Sequence, residues 1–436
     1  MTLSKKPYKG TRDFFPELKR ERDFLFHNMR HCAELFGYES YDGPMVEEVE
    51  LYKAKSGEEL INDQIYSFYD RGKRFIAIRP EMTPTLARMI ASVHREISKP
   101  IRWYSIPSLM RYERPQKGRL REHWQFNCDI FGAPEFDGEI EILQVAIALL
   151  ESYGANNGHF DILINDRNIV NGIFTKILAL DAGISHKLYK IIDKAKKISQ
   201  EELTALIADL NLAEFKNKII TKYLSCQSVN DVLSLLEENQ LTEEYNYFNT
   251  FMEKASQVGI LEYLAFDPTI VRGLDYYTGI VFELFDKNPE NRRAICGGGA
   301  YGNLLQIFNE KPLAGVGFGL GDVTLKDFLK THKLMANFER PNNDLLMTFQ
   351  VDLGKTTSLS LAQKLRKVGI KTISSFEKLK LPKAFTLAEK KGAKFIAILG
   401  DDELSKDEIQ IKSLVTKEQQ TFSIDNIQEI TKFIKA

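Results

Sequence analysis

The residues best suited to chemistry on a phosphate lie close together between Arg111 and Gly132. Positive charges crowd the first half of that stretch, at positions 111, 114, 117, 119 and 121, and Glu113 is the one acid among them. An arginine can hold phosphate oxygens through two parallel hydrogen bonds, and a loop lysine adds a mobile charge. The stretch is therefore a candidate phosphate site. The alternative is a solvated basic hairpin that binds no ligand.

The elements that must position these charges are two antiparallel strands joined by a turn. Pro115 and Gly118 indicate the turn, because proline fixes the backbone angle φ and glycine relaxes it. Apolar residues then recur at positions 124, 126, 128 and 130. This two-residue period is typical of a half-buried strand. The sequence thus predicts basic side chains that project from a rigid sheet and from the loop at its end.

A carboxylate and a hydroxyl precede a predicted helix upstream. Two predicted strands, around Tyr66 and over Phe75–Ile78, lead to the sequence RPEMT, and a helix is predicted over Thr85–Val93. Backbone amides are free at a helix start, where a carboxylate is favoured. Glu81 and Thr83 therefore have two interpretations. They receive a substrate ammonium group, or one of them merely caps the helix.

An arginine and two glycine clusters lie further along the chain. The stretch 271–286 predicts a strand that begins near Arg272, whose charge would be costly to bury without a partner. Cys296–Gly302 has glycines where the backbone must turn sharply or approach something closely. Gly315–Gly321 has a glycine at every second position, which bares one face of a strand. That face suits a planar ring such as adenine, and a tightly packed helix is the alternative.

Composition limits the class of protein. A length of 436 residues predicts two or three domains, and a net charge of −1 means that any nucleic-acid contact comes from local patches. The four cysteines are far apart and indicate reduced thiols in a cytoplasmic protein. Seven scattered histidines form no metal-binding motif, so we expect no zinc. We also expect no signal peptide and no membrane span.

The composition and the predicted secondary structure change twice after the basic hairpin. Residues 184–258 contain no glycine and no proline, which predicts an inserted block of helices. Residues 331–343 are predicted as a linker, and strands and helices then alternate as in a small α/β domain, the last predicted element being a strand over Gln410–Leu414. This part has a basic cluster that suits a phosphate backbone. Ten Lys or Arg residues, at 364, 366, 367, 371, 378, 380, 383, 390, 391 and 394, stand there against Glu377 and Glu389.

Taken together, these motifs resemble the histidyl-tRNA synthetase family of class II aminoacyl-tRNA synthetases along essentially the whole chain. RYERPQKGRLREHWQ is similar to the second motif of the class, and VRGLDYYTG is similar to a motif special to the histidine enzymes. The resemblance implies an α+β fold, with a mixed, mainly antiparallel sheet flanked by helices. The implied domains are a catalytic domain at 1–165 and 263–330, a helical insertion at 166–262, a linker at 331–343 and an α/β anticodon-binding domain at 344–436.

The implied activity is histidine–tRNA ligation. The family joins histidine to ATP, giving histidyl-adenylate and pyrophosphate, and then passes histidine to the 3′ end of tRNA(His). The resemblance therefore implies L-histidine, ATP with Mg²⁺ and tRNA(His) as partners, and a homodimer. It implies no zinc and no metal held by the protein alone.

The resemblance also implies roles for individual residues. Those implied to bind histidine are Glu81, Met82, Thr83, Gln125, Asp129, Arg272, Tyr276, Tyr277 and Tyr301. Those implied to bind ATP are Arg111, Glu113, Arg119, His123 and Arg272, with Arg111 and Arg272 acting on the α-phosphate during catalysis. Those implied to contact tRNA are Arg114 and Gln116 in the basic loop.

This sequence departs from the family pattern at several positions. Thr324 stands where the third motif usually has an arginine for the γ-phosphate, and Lys326 or Arg119 are candidates to replace that charge. Asp129 replaces a glutamate common in bacteria, and His123 stands where phenylalanine often stacks on adenine. The second glycine cluster also lacks the arginine that often precedes its tyrosine and the aspartate that often follows it.

Two rival functions remain for a chain of this fold. One is the regulatory paralogue that activates ATP phosphoribosyltransferase, which the altered third motif favours slightly. The intact basic loop, Arg272, the helical insertion and the basic C-terminal domain oppose it. The other is a tRNA-binding protein without catalysis, which predicts the loss of Arg111 or Arg272, and both are present.

Overall fold

The protein is described from a computed structural model, in which the described residues are 3–53, 63–271, 276–338 and 341–435. The chain forms two compact units, one made of residues 1–13 and 22–335, the other of residues 14–21 and 336–436. Within the described ranges, no helix has the length and apolar character that crossing a membrane requires.

In the described residues, the strands form three sheets, and helices lie between the strands along the chain. The strands are β1 (Glu39–Ser40), β2 (Val46–Glu48), β3 (Tyr66–Tyr69), β4 (Phe75–Ile78), β5 (Ile101–Ser105), β6 (Ser108–Met110), β7 (Glu122–Phe131), β8 (Phe160–Asp166), β9 (Leu264–Phe266), β10 (Ile280–Asp286), β11 (Cys296–Tyr301), β12 (Gly315–Gly321), β13 (Asn343–Phe349), β14 (Thr372–Ser374), β15 (Ala393–Leu399), β16 (Glu408–Ser413) and β17 (Gln419–Ser423). The helices are α1 (Pro16–Leu35), α2 (Val49–Lys53), α3 (Thr83–Val93), α4 (Asp137–Ser152), α5 (Arg167–Gly172), α6 (Ala182–Lys194), α7 (Gln200–Ala208), α8 (Glu214–Leu224), α9 (Val229–Glu238), α10 (Thr242–Gln257), α11 (Asp322–Thr331), α12 (Gly354–Lys367), α13 (Leu381–Lys390), α14 (Asp401–Ser405) and α15 (Ile427–Lys435).

The first unit is built on a mixed sheet with the strand order β1-β5-β7-β12-β11-β10-β8-β9, and β6 pairs with the beginning of β7. The pairs from β5 to β8 along this order are antiparallel, whereas β1 and β9 pair in parallel at the two edges. The long strand β7 therefore lies inside the sheet, and the basic loop leads directly into its first residues. The predicted hairpin is confirmed, with Ser108 opposite Trp124.

The glycines of β12 leave room for side chains of the neighbouring strands. A β-carbon at Gly317 would lie 2.0 Å from Oδ1 of Asp129, and one at Gly319 would lie 2.6 Å from Nε2 of Gln125. On the opposite face the apolar residues of β12 pack against α4, where a β-carbon at Gly138 would lie 2.9 Å from Val316 Cγ1. The bare face was correctly predicted, but the alternative that a helix fills it is wrong.

The glycines of β11 belong to the cluster Cys296–Gly302, for which the sequence predicted either a sharp turn or a close approach of the backbone. A β-carbon at Gly298 would lie 2.3 Å from the carbonyl oxygen of Gly317, and one at Gly299 would lie 2.8 Å from that of Ile280. Both glycines are inside a regular strand that pairs with β10 and β12. The cluster is thus a place of close backbone approach and not a turn.

The stretch between β8 and β9, which lies within the described range 63–271, contains the helices α5 to α10 and no strand. The helices expected over residues 184–258, which lack glycine and proline, are therefore confirmed. Helices α7 (Gln200–Ala208) and α9 (Val229–Glu238) both lie in that range. Ser228 begins α9 with a capping box, in which its hydroxyl and the Asp231 carboxylate each accept a backbone N–H. The boundaries 166–262 for a separate insertion domain stay a prediction, as do the other domain boundaries.

The second unit contains a five-stranded sheet with the order β14-β13-β15-β16-β17. The alternation of strand and helix after residue 343 was predicted, but the prediction stopped at Leu414. Strand β17 and helix α15 follow it, and Ile430 and Ile434 of α15 are buried in the core of this unit. Their four-residue spacing is that of one helical face.

Candidate active site

A buried carboxylate and a buried phenol form the centre of the candidate site. Tyr301 at the end of β11 donates a hydrogen bond from its hydroxyl to Oδ1 of Asp129 on β7. Both side chains are almost fully buried, with 2% and 4% of the residue exposed. They can meet because Gly317, on the strand between theirs, has no side chain in the space that Asp129 occupies. The glycine at position 317 of β12 and the acid at position 129 of β7 therefore belong to the same buried pocket.

Burial changes the protonation of this pair. It raises the pKa of Asp129 from its ordinary 3.8 to about 7, and the hydrogen bond from Tyr301 opposes that rise. Burial also raises the pKa of the Tyr301 phenol, and the nearby Asp129 carboxylate raises it further. Tyr301 therefore stays a hydrogen-bond donor, while Asp129 can gain or lose a proton near neutral pH.

Aromatic rings pack beside this pair. The ring centroids of Tyr276 and Tyr277 are 4.7 Å apart, and Tyr276 meets the ring of Tyr301 edge-on at 5.9 Å. Phe131 contacts the other side of Tyr301 at 5.6 Å. The predicted histidine-binding residues Tyr276, Tyr277, Tyr301 and Asp129 are thus brought together. Arg272, predicted to act with them, lies outside the described residues.

The segment that leads into α3 is buried. Glu81 and Met82 are 4% and 1% exposed, and Thr83 is half-buried. Met82 is the residue that precedes the helix, and no side chain makes a capping hydrogen bond there. The N-cap position of α3 is therefore Met82 and neither Glu81 nor Thr83, and the chain enters the helix in a helical conformation with Pro84 in its first turn.

Arg79 is a residue that the sequence interpretation missed. It is 4% exposed, and its Nε donates to the carbonyl oxygen of Ser108 at 3.0 Å. Its Nη1 donates at 2.8 Å both to Asp42 Oδ1 and to the carbonyl oxygen of Gly43. These bonds tie the start of α3 to β6 and to the chain before β2. Nothing in the local sequence distinguishes Arg79 from an exposed arginine, so its partners could not be predicted.

Arg111 connects the basic loop to the same segment. Its Nε donates to the carbonyl oxygen of Pro80 at 2.9 Å, and its backbone N–H donates to the carbonyl oxygen of Arg121 at 2.8 Å. The guanidinium group is therefore held next to Glu81, at the boundary between the buried pocket and the loop. This position brings a positive charge to the segment that contains Glu81.

The loop itself is a tight hairpin of mixed exposure. Gln116 and Arg119 exchange two backbone hydrogen bonds of 2.9 Å around Lys117 and Gly118, and Gly118 has a φ of 72°. Glu113 is buried and forms an ion pair with Arg119. The predicted tRNA-contacting residues, Arg114 and Gln116, are both exposed.

The N-terminal segment supports the loop, which the sequence interpretation did not foresee. The carbonyl oxygen of Gly10 accepts the backbone N–H groups of Arg121 and Glu122 at 2.9 and 3.1 Å. Arg121 lies over the ring of Tyr112, with 4.1 Å from the guanidinium carbon to the ring centroid, and donates to the hydroxyl of Tyr8. The end of the loop at Arg121 is therefore held by the N-terminal segment and by Tyr112.

His123 follows the loop and faces three guanidinium groups. Burial lowers its pKa from 6.5 to about 3, and the charges of Arg111, Arg12 and Arg119 add to that effect. Its imidazole is consequently neutral at physiological pH. A neutral aromatic ring surrounded by arginines is a suitable surface for a flat, electron-rich base whose phosphates lie nearby.

The helix after β12 places Asp322 and Thr324 at the end of the glycine strand. Asp322 is buried, and its carboxylate accepts the backbone N–H of Trp124 at 2.9 Å and Nη2 of Arg12 at 2.8 Å. Thr324 donates from its hydroxyl to the carbonyl oxygens of Ile295 and Gly321, each at 3.2 Å. Position 324 therefore contributes no charge and is turned onto the backbone. A β-carbon at Gly321 would meet nothing closer than Thr324 Oγ1, at 3.4 Å.

The basic cluster of the second unit is accessible throughout. All ten of its Lys and Arg side chains are exposed. Lys364 pairs with Asp425, Lys378 pairs with Asp352, and Arg366 donates to the carbonyl oxygen of Thr372. Most of the positive charge of the cluster is therefore not neutralised by the ion pairs seen in the described residues.

No metal cluster is found in the described part of the chain, where three or more His, Cys, Asp or Glu side chains never converge on one point. The polar groups that do converge are the carboxylates and hydroxyls of the pocket and the guanidinium groups of the loop. An arrangement of this kind can hold an organic cation and an aromatic ring on one side and a polyanion on the other.

The chain is similar to known proteins over the range that contains this site. A sequence model described as histidyl-tRNA synthetase matches residues 10–323, and one described as an anticodon-binding domain matches residues 351–433. The histidine–tRNA ligase of Leptospira biflexa is 41% identical over 424 residues, which are 97% of this chain and 96% of that protein. The histidine–tRNA ligase of Thermoplasma volcanium is 33% identical over 422 residues, with 96% of each chain covered. A crystal structure of histidyl-tRNA synthetase from Nostoc sp. PCC 7120 superposes with a TM-score of 0.80 at 25% identity, covering 99% of this chain and 100% of that one.

Proposed function

Because the chain belongs to the histidyl-tRNA synthetase family, we propose that the pocket around Asp129 and Tyr301 binds histidine and that the adjoining basic loop binds ATP. The chain is an enzyme, and its activity is histidine–tRNA ligation. The class II synthetase fold expected from the sequence is likewise confirmed. The regulatory alternative is not favoured, since the ligases named above match the chain over nearly its full length, including the basic C-terminal part.

Ligation requires two group transfers. In the first, a carboxylate oxygen of histidine attacks the α-phosphorus of ATP, the bond to the β-phosphate breaks, and pyrophosphate leaves with the bonding electrons. In the second, a terminal ribose hydroxyl of the tRNA attacks the carbonyl carbon of the adenylate, AMP leaves, and the hydroxyl proton passes to the leaving phosphate or to water. ATP comes with a divalent metal ion, proposed to be Mg²⁺, which enters bound to the nucleotide. Both transfers depend mainly on positioning and charge stabilisation.

The observation that best supports the histidine site is the buried Asp129–Tyr301 pair above Gly317. A carboxylate in a dry pocket needs a partner with an N–H group, and an imidazole supplies one from a ring nitrogen. Tyr276 and Tyr277 form the aromatic wall against which such a ring packs. The substrate ammonium group is assigned to Glu81, Thr83 and Gln125, with Met82 packing beside them.

The phosphate site is assigned to the guanidinium groups at the mouth of this pocket. Arg111 contacts the α-phosphate next to the histidine carboxylate, and Arg272 is assigned to its far side. Adenine stacks on His123, and Glu113 accepts from its amino group while Arg119 supplies charge to the phosphates. A β-carbon at Gly321 would make only an ordinary contact, at 3.4 Å with Thr324 Oγ1, so this end of β12 is the least crowded part of its glycine face.

The tRNA is assigned to the exposed surfaces. Arg114 and Gln116 contact the acceptor end, since they lie on the exposed side of the loop. The exposed basic cluster between Lys364 and Lys394 contacts the anticodon region, which is consistent with the match of residues 351–433 to an anticodon-binding domain. The enzyme is proposed to act as a homodimer in the cytoplasm.

The test of this function is histidine-dependent exchange between ATP and pyrophosphate, run beside the other nineteen amino acids. We expect exchange with histidine alone, and we expect Arg272→Ala to abolish it while histidine still binds. Arg74→Ala is a suitable control, because Arg74 is an exposed arginine that pairs with Asp70 in the turn between β3 and β4.

Two results would contradict these assignments separately. Exchange by Arg272→Ala within about tenfold of the unaltered protein, or some 1.4 kcal/mol, would remove the assigned role of Arg272 but not the function. Histidine binding without any exchange by the unaltered protein would overturn the proposed catalysis itself.

A further inference from the structure

The third-motif position leaves the terminal phosphates of ATP without an evident cation. Thr324 is uncharged and hydrogen-bonded to two backbone carbonyls. Arg119, one of the two candidates to replace it, is ion-paired with Glu113. Lys326, the other candidate, is close to Asp327, whose pKa is raised by burial and lowered by the charges of three lysines, Lys326 among them. Both candidates therefore already have an acidic neighbour.

Arg293 meets the basic loop at this position. It lies in the connection between β10 and β11, two residues before Ile295, whose carbonyl oxygen accepts the Thr324 hydroxyl. A β-carbon at Gly118 would lie 2.9 Å from Cδ and 3.7 Å from Nε of Arg293. The same β-carbon would lie 3.6 Å from Cγ2 of Thr324. The tip of the loop, position 324 and the Arg293 side chain therefore come together at one place.

The topology explains why Arg293 reaches this place. Strands β11 and β12 are antiparallel, with Cys296 opposite Leu320. The residues before the start of β11 are consequently next to the residues after the end of β12. An arginine at position 293 can thus replace an arginine at position 324, although the two positions are far apart in sequence.

The connection that carries Arg293 is firmly held. The Asp286 carboxylate accepts the backbone N–H of Asn288 at 2.8 Å and Nδ2 of Asn291 at 2.6 Å. Ile295 donates its backbone N–H to the carbonyl oxygen of Leu284 at 2.8 Å. A fixed backbone on both sides reduces the entropy lost when the side chain binds a ligand.

The guanidinium group of Arg293 is available for a ligand. The side chain is half-buried, and in the described portion of the chain no hydrogen bond or ion pair involves it. The planar fork of five N–H groups on an arginine matches the oxygens of an oxyanion. Lys117, next to Gly118 in the loop, donates to the carbonyl oxygen of Glu290 in the same connection at 3.3 Å.

We propose that Arg293 binds the β- and γ-phosphates of ATP, and the pyrophosphate product, in place of the arginine missing at position 324. This inference rests on the ATP site proposed above. It makes Arg293 a substrate-binding residue of the activation step that acts on the leaving group and not on adenine or histidine.

The test compares Arg293→Ala with Arg292→Ala in histidine-dependent exchange. Arg292 is the adjacent, exposed arginine and serves as the matched control. Arg293→Ala should raise the KM for ATP and for pyrophosphate by about tenfold to a hundredfold, the usual worth of a hydrogen bond to a charged group. The KM for histidine and the inhibition constant of AMP should stay within about twofold, since neither molecule has the terminal phosphates.

A second arginine should repair the defect. Thr324→Arg added to Arg293→Ala should recover most of the ATP affinity, because it restores a guanidinium group beside Gly118. Arg293→Lys should recover less, since an ammonium group cannot bind two oxygens in parallel.

Each other outcome overturns the proposal. Equal KM values for ATP in Arg293→Ala and Arg292→Ala would show that Arg293 does not bind the phosphates. A parallel rise in the KM for ATP and the inhibition constant of AMP would show a general distortion of the pocket. Failure of the proposed function is distinct from both, because the unaltered protein would then show no exchange with histidine.

Discussion

The two sides of the proposed active site are built by different means. On the histidine side, Glu81, Asp129 and Tyr301 are at most 4% exposed, and strand glycines make the space for Asp129 and Tyr301. On the phosphate side the Arg119 side chain is 36% exposed, and Arg114 is exposed outright. The first side is a dry pocket inside a sheet, and the second is a set of charges at the rim of that sheet.

This difference determines which changes each side tolerates. A group in the buried pocket is fixed by the backbone of three strands, so a replacement must fit the same space and the same hydrogen bonds. A cation at the rim needs only to lie near the phosphates, because a charge acts over several ångströms in any direction. The uncharged Thr324 is therefore compatible with activity if a guanidinium group reaches the same point from a neighbouring connection.

The largest effect should come from the residue that lies between the two sides. Arg111→Ala should lower kcat/KM for histidine-dependent exchange by about a thousandfold, since it removes a preorganised charge at the reacting phosphate. The loss should appear mainly in kcat, and it should leave the histidine dissociation constant within about threefold. Rapid measurement of adenylate formation in a single turnover would check this.

The matched control for Arg111→Ala is an arginine that lies on neither side of the proposed site. Arg74→Ala removes an exposed arginine from a turn and should change neither constant. If Arg111→Ala weakened histidine binding as much as it slowed the reaction, Arg111 would belong to the buried pocket and the division between the two sides would be wrong.

A methyl group inside the pocket should have the next largest effect. Gly317→Ala places a β-carbon 2.0 Å from Asp129 Oδ1, so either the carboxylate or the strand must move. Overpacking of this kind costs about 1–3 kcal/mol. We expect a rise in the KM for histidine of roughly tenfold to a hundredfold. Steady-state exchange at saturating ATP is the measurement.

Gly321→Ala is the matched change on the same strand. Its nearest neighbour would be Thr324 Oγ1 at an ordinary 3.4 Å, so the KM for histidine should not change. Equal losses in the two variants would mean that β12 is generally intolerant of side chains and that the space over Gly317 is not specific to Asp129.

Much of this arrangement could be predicted because its causes are local. The alternation after residue 122 predicted β7, and the glycine period of residues 315–321 predicted a strand with one bare face. Asp129 and Tyr301 were placed in one site from the family resemblance, and the structure brings them into contact. What the periodicity could not give was the reason for the bare face, since that depends on which strand lies beside β12.

The parts that could not be predicted are contacts between distant residues. Arg12 and Asp322 are 310 residues apart and form an ion pair at the edge of the site. Arg79 is buried only because β6 and the chain before β2 surround it. Arg293 reaches position 324 only because β11 and β12 are neighbours in the sheet. A charged residue has no local pattern that shows its partner, so each of these required the topology first.

The smallest predicted effect concerns the protonation of the buried pocket. Burial raises the pKa of Asp129 to about 7, above its ordinary value of 3.8 in an unfolded chain. A folded state that binds the proton more tightly is favoured below pH 3.8, and it loses that advantage as the pH rises towards 7. Between pH 5.5 and 7 the carboxyl should therefore lower the free energy of unfolding by about 1.5 kcal/mol. Asp129→Asn should remove this dependence on pH.

Urea unfolding followed by tryptophan fluorescence can isolate this effect, because the two tryptophans of the chain, Trp103 and Trp124, both lie in the first unit. The difference in unfolding free energy between Asp129→Asn and the unaltered protein should shift in favour of the variant from pH 5.5 to pH 7. The same comparison for Arg74→Ala should be flat, since neither Arg74 nor its partner Asp70, whose pKa is lowered from 3.8 by hydrogen bonds from Arg74, titrates in this range. A constant difference for Asp129→Asn would mean that Asp129 is already ionised at pH 5.5. The histidine side would then resemble the phosphate side in holding a solvated charge.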